Sequence, residues 1–154
     1  MKTLWIISKS EIMGRFEFKW DHDATGYPCF IIIHDRGFRC GYVGVPKGHF
    51  LHGVEYSEKK LSPESRFQVH GGLTYSGNGF GYGDFWFFGF DCAHFGDAKD
   101  VRLMDMRSRE LYKRYGAGPH EESGVVRSKE YVTKECDDLA QQLFYAQVTY
   151  LSLS

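Results

Sequence analysis

The residues best suited to chemistry follow directly after an apolar run of aromatic side chains, Phe85 to Phe88. Asp91, His94 and Asp97 come at intervals of three residues, with Cys92 between the first two. Carboxylate oxygens and imidazole nitrogens are ligands that zinc, manganese and nickel ions accept in proteins. A divalent metal ion held here would lower the pKa of a bound water and could drive hydrolysis.

A second histidine lies on the preceding candidate strand, Arg66 to Tyr75, where His70 is grouped with polar side chains. The glycine-rich connection from Ser76 to Asp84 would let the next strand return antiparallel to it. In the simplest register His70 comes level with Phe90 or Asp91. We therefore expect His70 to join the cluster as a further metal ligand or as a catalytic base.

Cys92 offers a different chemistry, in which a thiolate attacks the substrate and a histidine removes the thiol proton. Cys92 and His94 would share one strand face, roughly 6 to 7 Å apart, so His70 is the better base. Against this, widely spaced cysteines without a Cys-x-x-Cys pair are typical of core thiols. A structural role is also open for Asp91 and Asp97, which could cap turns.

A binding role without turnover is the alternative function. An aromatic side chain would stack on the base of a nucleotide, while Arg66 and His70 would contact its phosphate. The candidates for stacking are Trp86, Tyr75, Tyr82 and Phe80. His49 is a further candidate ligand-binding side chain. The protein would then sequester a small signalling nucleotide instead of converting it.

Composition limits the class of protein. The chain has 154 residues, of which 42% are hydrophobic and 25% charged, and its formal net charge is -1. This length predicts a single domain over residues 1–154. The near-zero charge argues against nucleic-acid binding through a basic surface. The apolar opening, Leu4 to Ile7, is too short for a membrane span or a signal-peptide core, so we expect a cytoplasmic protein with no membrane partner.

Hydrophobic periodicity predicts an α+β fold, a curved antiparallel sheet of five or six strands with a C-terminal amphipathic helix packed on it. A closed small barrel is the alternative. In the second strand, alternation with charged residues should turn Phe16, Phe18 and Trp20 toward the core. The candidate strands are Thr3 to Ile7, Arg15 to Trp20, Cys29 to His34, Phe38 to Val45, Arg66 to Tyr75 and Phe85 to Asp91.

The C-terminal helix is the clearest element in the sequence. Ser128 is its candidate N-cap, and apolar residues repeat at helical spacing on one side. A shorter helix is predicted at Ser108 to Tyr115. In the long helix we expect burial of Val132, Cys136, Leu139, Ala140 and Leu143, and exposure of Asp137, Asp138 and Gln141.

Three motifs resemble those of a family of small uncharacterised proteins from bacteriophages and bacterial genomes. They are CGYVGVPKGH at Cys40 to His49, VHGGLTY at Val69 to Tyr75, and WFFGFDCAHFGD at Trp86 to Asp97. The segment Tyr131 to Cys136 resembles the family too, so the likeness extends over roughly Cys40 to Leu143, apart from the segment Ala98 to Gly124. The resemblance implies a phage or prophage setting, in which small proteins often interfere with host defence. It adds a host protein as a possible partner and supplies no activity.

Taken together, the sequence predicts a small phage-type protein that acts on a phosphate-bearing small molecule. The expected site is a cleft containing His70, Asp91, Cys92 and His94, where Asp97 helps to hold a metal ion. Metal-dependent hydrolysis is the favoured mechanism. Sequestration of a nucleotide, or inhibition of a host defence protein, is the alternative.

Overall fold

The computed structural model describes residues 14–58, 67–118 and 123–154. The predicted strand Thr3 to Ile7 lies outside them. The elements are β1 (Gly14–Asp21), β2 (Pro28–His34), β3 (Arg39–Val45), β4 (Tyr75–Gly77), β5 (Trp86–Asp91), α1 (Met106–Tyr115) and α2 (Lys129–Leu153). All strand pairs are antiparallel, and the five strands lie in the order β1-β2-β3-β5-β4. The predicted α+β fold is confirmed, with an open sheet and not a closed barrel.

β2 and β3 form the hairpin that the Asp35-Arg36-Gly37 turn predicts. Gly37 has a φ of +89°, a conformation that residues with side chains avoid. Because Gly37 has no side chain, the segment around Asp100 can also come close. The Asp100 backbone N–H donates to the Gly37 carbonyl at 2.9 Å. The hairpin turn is thereby fixed to the segment that leads toward α1.

β1 contains a bulge that the sequence pattern does not reveal. Its pairing with β2 shifts by one residue between Phe16 and Phe18, which makes Glu17 an extra residue in the strand. Phe16, Phe18 and Trp20 all pack against buried side chains, but Phe16 does so on the opposite face from the other two. The prediction that strict alternation places all three on one face is therefore wrong. Glu17 instead accepts two hydrogen bonds from Arg39, at 2.7 and 3.0 Å.

Buried side chains cover both faces of the sheet. On one face α2 packs against β2, β3 and β5, forming what we call the helix-covered core. On the other face the connection between β4 and β5 inserts Phe80, whose ring lies 4.8 Å from that of Phe87. We call this second group the aromatic cluster, and its buried members are Phe30, Ile32, Cys40, Tyr42, Phe80 and Phe87.

α2 begins and packs as predicted. The Ser128 hydroxyl accepts the Tyr131 N–H at 3.1 Å, and the five residues predicted to be buried are all 0% exposed. Asp138 and Gln141 are exposed, as expected. The predicted exposure of Asp137 is wrong, because its carboxylate accepts a hydrogen bond from Trp20 Nε1 at 2.9 Å. No helix in the described part of the chain combines the length and hydropathy needed to cross a bilayer.

The segment before β4 corrects a second expectation. Residues 67–74 form turns and irregular backbone, so the predicted strand Arg66 to Tyr75 is wrong for these residues. Tyr75 begins β4, and Arg66 lies outside the described residues. The backbone cannot stay extended here because Gly71 and Gly72 have φ values of +68° and +80°. The turn they form brings His70 beside the end of β5 by a different route from the one predicted.

Candidate functional site

Four of the predicted site residues meet near the first turns of α2, as two carboxylate–imidazole pairs. His70 Nε2 lies 2.8 Å from Asp97 Oδ2, and His94 Nε2 lies 3.1 Å from Asp91 Oδ1. The two imidazole centroids are 6.1 Å apart. We call these four residues the His/Asp cluster. The three-residue spacing brings Asp91, His94 and Asp97 together in one turn, and the turn at Gly71 adds His70 to the cluster.

Asp97 is the buried centre of the cluster, with only 5% of the residue exposed. Its Oδ1 accepts Arg127 Nε at 2.8 Å, while its Oδ2 accepts His70 Nε2 at 2.8 Å and the His94 backbone N–H at 3.0 Å. Burial by itself would raise the pKa of Asp97, but these hydrogen bonds outweigh it and leave the pKa below its ordinary value. Asp97 is therefore ionised at neutral pH.

His70 is held at both ring nitrogens. Besides the Asp97 contact at Nε2, its Nδ1 lies 2.8 Å from the Tyr131 hydroxyl. An ionised carboxylate can only accept, so in the neutral ring Nε2 carries the hydrogen and Nδ1 accepts from Tyr131. Burial raises the pKa of Tyr131, which keeps this hydroxyl protonated. His70 therefore has no nitrogen left for a ligand unless Tyr131 moves.

His94 has the opposite property, a ring nitrogen without a partner. Its ring lies against the backbone of Gly71, where any Cβ would overlap it. Nε2 is buried and has no hydrogen-bond partner among the described residues. Asp91 Oδ1 is 3.1 Å away, close enough for an ion pair but off the direction of a ring N–H. Asp91 already accepts from Thr74 Oγ1 at 2.9 Å and the Ala93 N–H at 3.1 Å.

The predicted four-ligand metal site does not fit this arrangement. Within the residues that the structure describes, no three His, Cys, Asp or Glu side chains are grouped so as to hold a metal ion. His70 has both nitrogens hydrogen-bonded, and each oxygen of Asp97 already has a partner. The Asp91–His94 pair differs, because His94 Nε2 has no hydrogen-bond partner among the described residues. Binding of zinc, manganese or nickel by all four residues would require the cluster to rearrange.

Cys92, the predicted alternative nucleophile, belongs to the helix-covered core. It is almost fully buried, and burial raises the pKa of its thiol, as does the negative charge of Asp97. A thiol that stays protonated is a weak nucleophile. This environment favours a packing role for Cys92.

His49 lies away from the cluster. It is buried, with Nε2 2.9 Å from the Leu143 carbonyl and Nδ1 accepting the Leu51 N–H at 3.1 Å. Leu143 is twelve residues beyond Tyr131 on α2, or roughly 18 Å along a helix. Both nitrogens are used to fix a loop to the helix.

Two further predicted ligand-binding side chains, Trp86 and Tyr75, are also separate from the cluster. Trp86 begins β5, at the opposite end from the cluster, and donates its indole N–H to the Val54 carbonyl at 3.0 Å. Tyr75 packs on the aromatic cluster, with its ring 5.3 Å from that of Tyr42. Arg66 lies outside the described residues.

Sequence reasoning misses two residues of the site, Arg127 and Tyr131. A bridge between Asp97 and Val125 brings the segment before α2 to the cluster. The Arg127 guanidinium then lies 5.1 Å from the centroid of the Tyr131 ring, while its Nε contacts Asp97. The one local signal was the position of Tyr131 in the first turn after the Ser128 cap. Nothing in the sequence around Arg127 indicates a contact thirty residues away.

An open groove of about 730 Å³ lies on the other side of His70, between residues 68–70 and α2. Gln142 fixes this segment to the helix, accepting the Gln68 N–H at 2.7 Å and donating to the Gln68 carbonyl at 2.9 Å. Glu135 and Asp138 supply carboxylates to the groove. Their charge disfavours phosphate there, so an anion would approach the cluster from the side of Arg127.

The chain matches no family model, no curated protein and no solved structure. The resemblance to phage proteins therefore stays a prediction. The function has to be argued from the geometry of the His/Asp cluster.

Proposed function

We propose that the protein binds a small phosphate-bearing molecule at the His/Asp cluster and hydrolyses it by acid–base catalysis. In this proposal Arg127 contacts the phosphate, and His94, which lies 3.1 Å from Asp91, takes the proton of the attacking water. A positioned histidine suits proton transfer because its ordinary titration lies nearest to neutral pH. His70 and Asp97 act as positioning residues.

The observation that carries this proposal is the way in which Asp97 holds two different groups. One buried carboxylate binds the Arg127 guanidinium and the backbone N–H of His94 at the same time. Asp97 thereby places the Arg127 guanidinium, which it contacts through Nε, beside the His94 imidazole. The Nε2 atom of His94 has no hydrogen-bond partner within the described structure. A buried polar atom left unpaired costs about 1–3 kcal/mol. A phosphate oxygen or an attacking water would supply the missing partner.

Access to His94 Nε2 requires a small movement, since Gly71 covers it. Both Gly71 and Gly72 adopt positive φ, and glycines tolerate the backbone changes of an opening turn. We infer that this turn shifts when the ligand binds. The His70 contacts with Asp97 and Tyr131 would hold the segment on its other side.

Binding of a partner protein without turnover is the second candidate function, in line with the host protein suggested by the sequence. It is favoured by the last turns of α2. No charged residue occurs from Leu139 to Ser154, and a helix with such a surface commonly docks into a groove of another protein. The exposed apolar side chains there are Phe144, Tyr145, Val148, Tyr150, Leu151 and Leu153.

Replacing His94 by glutamine tests the first candidate. We expect turnover of a nucleotide or phosphodiester substrate to fall about 100-fold or more, since a positioned acid–base group contributes at least that much. The melting temperature should stay within a few degrees, because His94 Nε2 makes no hydrogen bond within the described structure and its contact with Asp91 is partly exposed to solvent. A panel of nucleotides and phosphodiesters, assayed with the wild type and the variant, measures both.

His52→Gln is the matched control, since this histidine lies beside Trp86, and it should retain full activity. Elemental analysis and assays with chelator, or with added zinc, manganese or nickel, decide whether a metal takes part. If activity is lost with chelator and recovered with added metal, a metal-dependent mechanism would replace the metal-free one. Absence of both binding and turnover in the wild type would refute the proposal and leave partner binding.

A further inference from the structure

We propose that the protein has a second ligand site, separate from the His/Asp cluster, that binds a nucleotide between α1 and the β2–β3 turn. The site is a cleft of about 410 Å³, which we call the α1 cleft. This volume falls within the range of roughly 300–1,000 Å³ that is usual for small-molecule sites. Its principal lining residues are Arg36, Lys99, Met104, Leu111, Tyr112 and Tyr115.

α1 is placed beside the cleft by contacts with the backbone and not by core packing. None of its residues is buried. Asp105 caps its first turn by accepting the Ser108 N–H at 2.7 Å, and the Asp105 N–H in turn bonds the Asp35 carbonyl at 2.9 Å. Arg109 adds a bond to the Met104 carbonyl at 3.2 Å. These contacts join α1 to the β2–β3 turn and leave the space between them open.

The walls of the α1 cleft suit a flat, aromatic group. Tyr112 and Met104 form its inner part, whereas Leu111 and Tyr115 line it but remain 48% and 74% exposed. Apolar and aromatic side chains that stay exposed at a cleft indicate a binding surface. Tyrosine rings stack on every nucleobase because each base presents a π-face. A base seated here would cover the side chains that the fold leaves in solvent.

The rim of the cleft is positively charged, which suits a phosphate. Arg36 is exposed, and its guanidinium can bind phosphate through two parallel hydrogen bonds. Lys99 lines the same cleft. Burial lowers the pKa of the neighbouring His34, the charges of Arg36 and Lys99 add to that effect, and those of Asp35 and Asp91 oppose it. The nearby Asp100 is already paired with Arg102 at 2.8 Å.

The outer surface of α1 strengthens the attraction for an anion. Arg107, Arg109, Lys113 and Arg114 outnumber the one acidic residue of the helix, Glu110. Such a local excess of positive charge concentrates anionic ligands near the surface. An aromatic group and a phosphate are therefore both accommodated, which is the chemistry of a nucleotide and not of an anion alone.

Calorimetric titration of the full chain with adenosine diphosphate tests the α1 cleft. We expect adenosine diphosphate to bind at least tenfold more tightly than either inorganic phosphate or adenosine. Arg36→Ala and Tyr115→Ala should each weaken its binding at least tenfold. Lys134→Ala removes one positive charge from α2, where Lys134 pairs with Asp138, and should change the affinity less than twofold. Both tested residues are exposed, so the melting temperature should not change.

Three results would overturn the inference. They are no binding of adenosine diphosphate, equally tight binding of inorganic phosphate, and a loss in Lys134→Ala as large as the loss in Arg36→Ala. His94→Gln separates the two sites: binding that is lost in this variant and kept in Arg36→Ala would place the nucleotide at the His/Asp cluster. Binding kept in His94→Gln and lost in Arg36→Ala supports the α1 cleft, whether or not the cluster proves catalytic.

Discussion

Replacing Asp97 by asparagine is expected to lower the free energy of unfolding by about 3 kcal/mol at neutral pH. Removing one partner of a buried charge pair leaves the other partners uncompensated, which costs about 3–5 kcal/mol, and the partial exposure of Arg127 puts the value at the lower end. For a chain of this size the melting temperature should fall by about 6–12 °C. Thermal unfolding followed by circular dichroism measures the change.

Asp138→Asn is the matched control for that substitution. Asp138 also pairs with a cation, Lys134, at 2.9 Å, but both side chains are exposed. Exposed ion pairs contribute about 0–1 kcal/mol, so its melting temperature should hardly change. Equal losses in the two variants would show that Asp97 is no more important to the fold than a surface carboxylate.

The pH dependence of the Asp97→Asn effect has a definite sign. The hydrogen bonds hold the pKa of Asp97 below 3.8 in the folded protein, so its contribution is complete at pH values above the unfolded pKa. It disappears as the pH falls through the folded pKa. The stability difference between wild type and variant should therefore be constant from pH 7 to about 5 and shrink below about pH 4.

Replacing Leu139 by alanine should cost about 3–4 kcal/mol, within the range of roughly 2–5 kcal/mol found when a buried leucine is truncated to alanine. Leu139 is 0% exposed at the centre of the α2 surface that faces the sheet. Leu151→Ala is the control on the same helix, because Leu151 is 59% exposed and its loss should change stability by less than about 0.5 kcal/mol. Denaturant titration gives both values. A cost below about 1 kcal/mol for Leu139→Ala would contradict the packing of α2 on the sheet.

The parts of the fold that depend on local patterns could be predicted from the sequence. Helical spacing identifies the buried face of α2, and Gly37 identifies the hairpin. The Glu17 bulge is different, because alternation in β1 continues through it and only the pairing with β2 reveals the shift. The sequence pattern likewise predicts that Asp137 is a surface residue, because its hydrogen bond with Trp20 joins positions that are far apart in the sequence.

The candidate site also has one part that local sequence patterns predict and another part that they do not. The spacing of His94 and Asp97 is local, and the structure uses it in a turn where the Asp97 carboxylate accepts the His94 N–H. His70 joins them although its predicted strand does not form, since the Gly71 turn takes the place of strand pairing. Arg127 depends on the Asp97–Val125 bridge between distant segments, which no periodicity or motif indicates.

The absence of buried residues in α1 has a consequence for the cooperativity of folding. β2 and β3 are covered on both faces, so they can lose their hydrogen bonds only when the whole sheet opens. By contrast, α1 can unfold by itself, because its unfolding exposes little buried apolar surface. A ligand in the α1 cleft would then act as a folding partner for this helix. Part of its binding free energy would be used to order α1, so affinity and local helix stability would change together.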